Sequence, residues 1–258
     1  MKRTLIDRET LRLPSVFNSV LNGADVYDSS CSKEATVLFI DKECGYYLKS
    51  AAKGALSNEA IMADYFHKKG LSAPVLEYIS LERDYLLTER VVGEDCTYKA
   101  YLDEPERLAA LIGENLAMLH SLDFSDCPIK NRISTYFEVA EENYKKGVFD
   151  QSFYHNSANP DEVWRIACDL KGVLKCDALL HGDYCLPNIM VKDWKLSGFI
   201  DLGNGGVGDK HIDLFWGAWT LNFNLGTDKY RDVFFDAYGR SDIDIEIINA
   251  VGAAECFG

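Results

Sequence analysis

Three oxygen-bearing side chains lie within one short segment, His181–Asp201, which reads HGDYCLPNIMVKDWKLSGFID. Asp183 and Asn188 fall in a predicted loop, and Asp201 follows a predicted hairpin that returns the chain towards Asn188. A carboxylate and an amide oxygen suit Mg²⁺, which prefers oxygen ligands, and a further carboxylate can accept a hydroxyl proton. Phosphoryl transfer to a hydroxyl needs these atom types. We therefore predict Asp183 as the general base and Asn188 and Asp201 as Mg²⁺ ligands.

The spacing of Asp183 and Asn188 alone is also typical of turn residues, which form local hydrogen bonds. Three neighbouring features favour the catalytic interpretation: His-Gly precedes Asp183, a hairpin follows Asn188, and Asp201 stands at the exit of that hairpin. The catalytic loop of protein kinases has the same spacing and is followed by a metal-binding aspartate.

A lysine and a glutamate earlier in the chain complete this chemistry. Lys49 ends a predicted strand, where it could contact the α- and β-phosphates of a nucleotide, and Glu59 lies in the next predicted helix, where it could hold that lysine. Taken singly, each is equally an ordinary exposed residue. Glu43, Glu82 and Glu89 are competing partners for the lysine, but none of them falls in the predicted helix.

The sequence has neither of the common glycine-rich phosphate loops, G-x-x-x-x-G-K-[ST] or G-x-G-x-x-G. A P-loop is therefore excluded. The segment Ser29-Ser30-Cys31-Ser32 is the remaining candidate to cover the phosphates, because backbone N–H groups and serine hydroxyls can bind phosphate without glycine.

The predicted elements change character along the chain. A hairpin over residues 36–49, a helix near 56–69 and strands at 75–79 and 85–88 indicate a small sheet that carries one helix. Helices beginning at Glu104-Pro105 and covering about 134–146 and 160–175 follow. We predict a bilobal α+β protein with an N-terminal lobe over residues 1–90, a hinge at about 88–93 and a C-terminal lobe over 94–258.

The amino-acid composition limits the classes of molecule that the protein is expected to bind. The net charge of −14 disfavours nucleic acid and anionic membranes. Its field would favour a cationic small molecule, although a solvated acidic surface is the more common cause of such a charge. The eight cysteines form no C-x-x-C pair, the N-terminus has no apolar signal-peptide core, and no apolar run is long enough to span a bilayer. We therefore expect a cytoplasmic protein with reduced thiols, present as a monomer or weak dimer.

Several segments resemble the aminoglycoside 3′-phosphotransferases, which have a protein-kinase-like fold. The matching segments are HGDYCLPNIMV, SGFIDLG, LHSLDFSDCP and DKHIDLF, and the resemblance runs from about Cys31 to the C-terminus. It implies a bilobal kinase-like fold with an antiparallel-sheet N-terminal lobe and a helical C-terminal lobe. It also implies ATP or GTP as phosphoryl donor, with Mg²⁺, and an aminoglycoside 3′-hydroxyl as acceptor, so that the protein would confer antibiotic resistance.

The resemblance assigns roles residue by residue. Asp183 matches the catalytic base, Asn188 and Asp201 the magnesium ligands, and Lys49 and Glu59 the phosphate lysine and its partner. Ser32 matches the serine of the nucleotide-positioning loop, Tyr47 the aromatic residue beside the nucleobase, and Thr88 and Val91 lie in the base-contacting hinge. His181 and Asp213 match residues that brace the catalytic loop.

Departures from the family pattern concentrate where the drug would bind. The family's acidic cluster is reduced here to the segment that starts at Asp150, and the family's terminal Asp-Glu-x-Phe appears as Ala254-Glu255-Cys256-Phe257, followed by Gly258. Asn204 stands where an arginine is usual. We expect Glu255, Phe257 and Asp150 to contact the substrate, with Glu141 and Glu142 as further ammonium partners.

Two alternatives remain open from the sequence. The chain could be a related kinase of another small alcohol, such as choline, a sugar or a different antibiotic, and the altered C-terminus favours this alternative. It could also be an inactive kinase-fold binding protein, although every core position holds a competent side chain.

Overall fold

The structure is a computed structural model that describes residues 3–258. The strands are β1 (Thr4–Leu5), β2 (Asp25–Asp28), β3 (Ala35–Asp41), β4 (Tyr46–Ala52), β5 (Val75–Ser80), β6 (Arg83–Glu89), β7 (Glu94–Asp95), β8 (Ala178–Leu180), β9 (Ile189–Lys192), β10 (Lys195–Phe199) and β11 (Gly206–Gly208). The helices are α1 (Asn18–Leu21), α2 (Ser57–Lys68), α3 (Lys99–Leu102), α4 (Pro105–His120), α5 (Arg132–Lys145), α6 (Pro160–Lys171), α7 (Lys210–Leu225), α8 (Arg231–Tyr238) and α9 (Ile245–Glu255).

The chain forms two compact units, of which the first comprises residues up to Asp95 together with residues 189–203. Its six-stranded antiparallel sheet has the order β1-β2-β3-β4-β6-β5. The β3–β4 hairpin and helix α2 confirm the elements predicted over residues 36–69. Strands β1 and β2 and helix α1 lie within the first thirty residues, where no element was predicted.

Strand β4 places the two chemically interesting side chains of this sheet on one face. Side chains alternate along a strand, so Tyr47 and Lys49 share a face with Ala51, while Leu48 points to the opposite face. Ala51 packs with Ala60 of helix α2, and Leu48 belongs to the apolar cluster beneath the sheet. Helix α2 therefore covers the face of the sheet that carries Lys49.

A second, three-stranded sheet of order β10-β9-β7 completes the first unit. The hairpin β9–β10 turns at Asp193 and Trp194, which both adopt left-handed backbone angles with φ of 51° and 60°. Its second strand is anchored to the loop after α2, because Phe199 N–H donates to the Leu71 carbonyl at 2.7 Å. This anchor fixes the position of Asp201, two residues further on.

The second unit comprises residues 96–188 and 204–258 and is mainly helical. Helix α4 packs against α8, and helix α9 packs against both α6 and α7. Helix α4 turns an apolar stripe to the core, since Leu108, Ile112, Leu116 and Leu119 are fully buried. The two-stranded pair β8–β11 lies in the interior and delivers the chain to His181.

The α+β class predicted from the sequence is confirmed, with an antiparallel sheet region followed by a helical region. By packing, the hairpin 189–203 belongs with the first unit. The division into an N-terminal lobe over residues 1–90 and a C-terminal lobe over residues 94–258 stays a prediction. Within residues 3–258, no helix combines the length and the apolar character needed to cross a lipid bilayer.

Candidate active site

In the first unit, Lys49 is held between two carboxylates. Its Nζ lies 2.7 Å from Oε2 of Glu59 and 2.7 Å from Oδ1 of Asp201. Burial alone would lower the pKa of Lys49, but the charges and hydrogen bonds of Glu59 and Asp201 outweigh it and raise this pKa to about 12. The lysine is therefore a fixed cation at neutral pH, which is the state needed to bind phosphate.

Glu59 reaches Lys49 from the first turn of α2, the helix predicted to carry it. Glu59 is buried. Burial raises the pKa of its carboxyl, and the positive charge of Lys49 opposes that rise. A buried carboxylate is stable only with a partner, so Glu59 and Lys49 hold each other in place.

Asp201 adopts a strained backbone conformation. Its φ of 59° lies in the left-handed region, which non-glycine residues rarely occupy. Such conformations persist where the surrounding structure enforces them and are concentrated at functional sites. Half of the Asp201 side chain is exposed, so one carboxylate oxygen faces Lys49 while the group remains accessible.

In the second unit, a buried aspartate braces the segment that carries Asp183. The Oδ2 of Asp213 accepts the N–H of His181 at 2.8 Å, and its Oδ1 accepts the N–H of Gly182 at 2.8 Å. His120 Nε2 lies 3.2 Å from the same carboxylate. The bracing role expected for Asp213 is thus confirmed.

Gly182 permits this loop because no other residue fits. Its φ is +84°, and a Cβ added there would lie 2.0 Å from the carbonyl oxygen of Asn204. Both the left-handed backbone and the close approach of Asn204 require glycine. The His-Gly-Asp sequence is therefore a structural requirement for presenting Asp183.

Asp183 and Asn188 are brought together, as predicted from their spacing. The Nδ2 of Asn188 donates to the carbonyl oxygen of Asp183 at 3.0 Å and to its Oδ2 at 2.9 Å. Asn188 is buried in a short 3-10 turn, whereas Asp183 is half-buried. Because both N–H groups of this amide point to Asp183, the amide oxygen is the atom left for another contact.

Asp183 lines a cavity of about 310 Å³ that lies wholly within the second unit. The cavity is lined by Arg132, Thr135, Tyr136, Val139, Ala140, Leu180, Gly182, Asp183, Asn204, Ile212, Trp216, Ala254, Glu255 and Gly258. Two of these residues are acids, Asp183 and Glu255. The cavity is thus a concave, mostly apolar site with a few polar groups, as expected for a small-molecule site.

Glu255 is the buried acid of this cavity. Its Oε1 accepts the hydroxyl of Tyr136 at 2.9 Å and the indole N–H of Trp216 at 3.0 Å. Burial raises the pKa of Glu255 to about 7, against these two hydrogen bonds, and the negative charge of Asp183 raises it further. Gly258 leaves no room for a side chain here, since a Cβ would lie 2.8 Å from Oε2 of Glu255.

The other predicted substrate residues lie elsewhere. Phe257 is fully buried among Tyr144, Phe149 and Trp164, so the structure corrects its expected role: the ring anchors the chain after α9 and is not exposed to a substrate. Its large apolar surface explains this preference for the core.

The acidic candidates outside the cavity already have local partners. Asp150 is exposed and caps a short 3-10 helix, with its Oδ1 accepting the N–H of Ser152 at 2.9 Å. Glu141 and Glu142 pair with the lysines one turn along α5, at 2.6 Å and 2.7 Å. Substrate contact by these residues stays a prediction.

The predicted nucleotide residues all belong to the first unit. Ser32 is exposed in the loop between β2 and β3. Tyr47 is half-buried, tilted against Phe39, and pairs across the sheet with Thr88 of β6. Val91 is buried just beyond β6. Contact of these four predicted residues with a nucleotide stays a prediction.

Three residues of the cavity escaped the sequence analysis. Tyr136 and Trp216 hold Glu255, and Arg132 is a basic residue that lines the cavity. They come from two separate helices, α5 and α7, and carry no local motif. Only the three-dimensional packing of these helices identifies them.

A sequence model of the phosphotransferase enzyme family matches residues 32–247. A relative from Lactococcus lactis subsp. lactis, named "Probable aminoglycoside 3′-phosphotransferase", is 48% identical over 96% of this chain and 95% of its own. The aminoglycoside 3′-phosphotransferase of Enterococcus faecalis is 32% identical over 64% of this chain and 66% of its own.

Solved structures show the same fold. The aminoglycoside phosphotransferase of Streptomyces rimosus superimposes with a TM-score of 0.74 at 20% identity, over 93% of this chain and 94% of its own. A type VIII aminoglycoside 3′-phosphotransferase superimposes with a TM-score of 0.70 at 22% identity, over 90% of this chain and 91% of its own. These likenesses establish the bilobal, protein-kinase-like fold expected from the sequence. The chain therefore belongs to the phosphotransferase enzyme family.

Proposed function

We propose that this protein transfers the γ-phosphoryl group of ATP or GTP to the 3′-hydroxyl of an aminoglycoside and so confers antibiotic resistance. The observation that carries the proposal is the pairing of Asp183 with Asn188 beside a cavity that Asp183 lines together with Glu255. Relatives named as aminoglycoside 3′-phosphotransferases, one of them 48% identical, support this acceptor. The Streptomyces rimosus enzyme, solved with ADP and streptomycin, supports a nucleotide donor.

Each residue group would perform one part of the transfer. Asp183 orients the acceptor hydroxyl and takes its proton, and its carboxylate is held ready by Asn188. Lys49, fixed by Glu59 and Asp201, contacts the donor phosphates. Ser32 covers the phosphates, and Tyr47, Thr88 and Val91 contact the base. Stabilising the charge that develops on phosphate oxygens is the largest part of such catalysis.

We propose Asn188 of the second unit and Asp201 of the first unit as the magnesium ligands, on the chemistry of their donor atoms. Asn188 offers an amide oxygen, because its N–H groups are used by Asp183, and Asp201 offers a half-exposed carboxylate. Oxygen donors suit magnesium better than zinc or copper. Within residues 3–258, no cluster of three or more His, Cys, Asp or Glu side chains is placed to hold a metal ion. The ion would neutralise charge on the transferred phosphate.

The acceptor is proposed to be cationic. The chain carries a net charge of −14, and Asp183 and Glu255 both line the cavity. An ammonium group near Glu255 would favour its ionised form, which burial otherwise disfavours. We place this reaction in the cytoplasm, where nucleoside triphosphates are available, and expect a monomer or weak dimer.

A second candidate function is phosphorylation of another small alcohol. Ala254, Asn204 and Gly258 line the cavity at positions where the family pattern differs, and they change its shape and charge. These departures leave Asp183 and Asn188 untouched, so they bear on the acceptor and not on the transfer.

The test is a phosphoryl-transfer screen of the purified protein against a panel of aminoglycosides, with ATP and with GTP. Asp183→Ala should abolish turnover, a loss of at least roughly 10²–10⁴-fold, while nucleotide binding survives. Asp177→Ala, an exposed aspartate just before β8, is the matched control and should keep full activity. Turnover in Asp183→Ala would contradict the base assignment, and transfer only to other alcohols would favour the second candidate.

A further inference from the structure

Arg132, a buried residue, lines the same cavity as Asp183. Arg132 is the first residue of α5 and is only 8% exposed. Its stem runs along β11, where a side chain at Gly206 would come within 2.7 Å of Arg132 Cγ. Nothing in the proposed transfer uses this residue so far.

Arg132 has little compensation for its charge. Its Nη2 donates to Oδ1 of Asn204 at 3.1 Å, one bond from a group with five N–H donors. Over the described part of the chain, no carboxylate forms an ion pair with it. Burying a charge without a partner is costly, and burial accordingly lowers the pKa of this guanidinium. Such a charge in a cavity wall is available to a ligand.

The guanidinium also lies close to the catalytic loop. Asn204, which Arg132 holds, packs so closely on Gly182 that a side chain at Gly182 would collide with its backbone and its Cβ. Gly182 directly precedes Asp183. Arg132 is therefore separated from the proposed base by one packed residue, Asn204, and by the glycine of the loop.

We propose that Arg132 determines which acceptors are phosphorylated, by binding a neutral oxygen next to the reacting hydroxyl and repelling an ammonium group there. This inference rests on the proposed function. An acidic site generally favours the amines of an aminoglycoside. At the position next to Arg132, a hydroxyl would be favoured over an amine. A guanidinium donates to hydroxyl oxygens, whereas a second cation at the same place is repelled.

Two antibiotics provide a matched pair of probes. Kanamycin A carries a hydroxyl and kanamycin B an amine on the 2′ carbon, adjacent to the 3′-hydroxyl, and they are otherwise alike. The unmodified protein should prefer kanamycin A by at least about tenfold in kcat/KM, given the repulsion of two unit charges at partly buried sites. Arg132→Met should reduce the preference to within about threefold, and Arg132→Lys, which keeps the charge, should retain it.

The ratio of the two substrates makes the test independent of folding. Both are measured on the same preparation, so an unfolded fraction cancels. Arg165→Met, an exposed arginine on α6, is the control and should leave the ratio unchanged. A ratio near one or favouring kanamycin B in the unmodified protein, or a ratio unaffected by Arg132→Met, would overturn the inference alone. Phosphorylation of neither kanamycin would instead count against the proposed function, and the inference would fall with it.

Discussion

Replacing Glu255 by glutamine should remove a large part of the pH dependence of stability. The carboxyl is buried, and burial raises its pKa from 4.5 to about 7. Glutamine has nearly the same shape, stays neutral, and can still accept the hydrogen bonds of Tyr136 and Trp216 through its oxygen. The substitution therefore removes one proton equilibrium and few contacts.

The magnitude follows from proton linkage. Between pH 4.5 and about 7 the unfolded chain has released this proton while the native protein keeps it, so the free energy of unfolding falls as pH rises through this window. Each pH unit of that window is worth about 1.4 kcal/mol, which gives a loss of about 2.5 kcal/mol between pH 5 and pH 8. Glu255→Gln should lack this loss.

The assay is urea unfolding of both proteins at pH 5 and pH 8. Relative to the unmodified protein, Glu255→Gln should gain about 2.5 kcal/mol on going from pH 5 to pH 8. Glu138→Gln, an exposed glutamate on α5, should show no such gain. The indole N–H signal of Trp216, which donates to Glu255, should titrate near pH 7 in the unmodified protein only. A gain below about 0.5 kcal/mol would refute the assignment of a buried, proton-holding carboxyl.

Two further predictions concern the loop and the lysine. Lys49→Met should lower kcat by roughly 10²–10³-fold, because it removes a fixed cation from the surroundings of the transferred phosphate. Steady-state kinetics with saturating nucleotide measures this loss. An undiminished kcat would show that the assignment of Lys49 is wrong. Gly182→Ala should destabilise the protein by at least about 3 kcal/mol in urea unfolding, since it adds a collision to a left-handed backbone, whereas Gly147→Ala, with φ of +74° and open space, should cost only about 1 kcal/mol.

Local signals account for what the sequence predicted well. Alternating β-branched and aromatic residues around a turn identify β3 and β4, and the spacing of Asp183 and Asn188 is a property of one short loop. The pairing of Lys49 with Glu59 depends on a strand followed directly by a helix, which is also a local arrangement. These features could be predicted because few long-range contacts decide them.

The features that could not be predicted from the sequence depend on how elements distant in the chain pack and which side chains they turn to the core. Phe257 follows the acid Glu255 by two residues, yet one lies in the apolar core and the other lines the cavity. Strands β1 and β2 are short and carry no strong alternation, so only the pairing of β1 with β2 and of β2 with β3 defines them. Arg132 is carried to the cavity by its packing on glycines of β11, which a reading of α5 alone does not show.

A buried acid, Glu255, and a buried arginine, Arg132, line one cavity without pairing, and their separate anchors explain why. Glu255 is tied by Tyr136 and Trp216, and Arg132 is tied by Asn204. Over the described residues no ion pair joins the two, although each is buried and would gain from a partner. If Glu255 and Arg132 had paired with each other, neither group would be available to a bound molecule. Held apart, they keep a hydrogen-bond acceptor and a donor for a bound molecule, as the proposed amine- and hydroxyl-bearing acceptor would require.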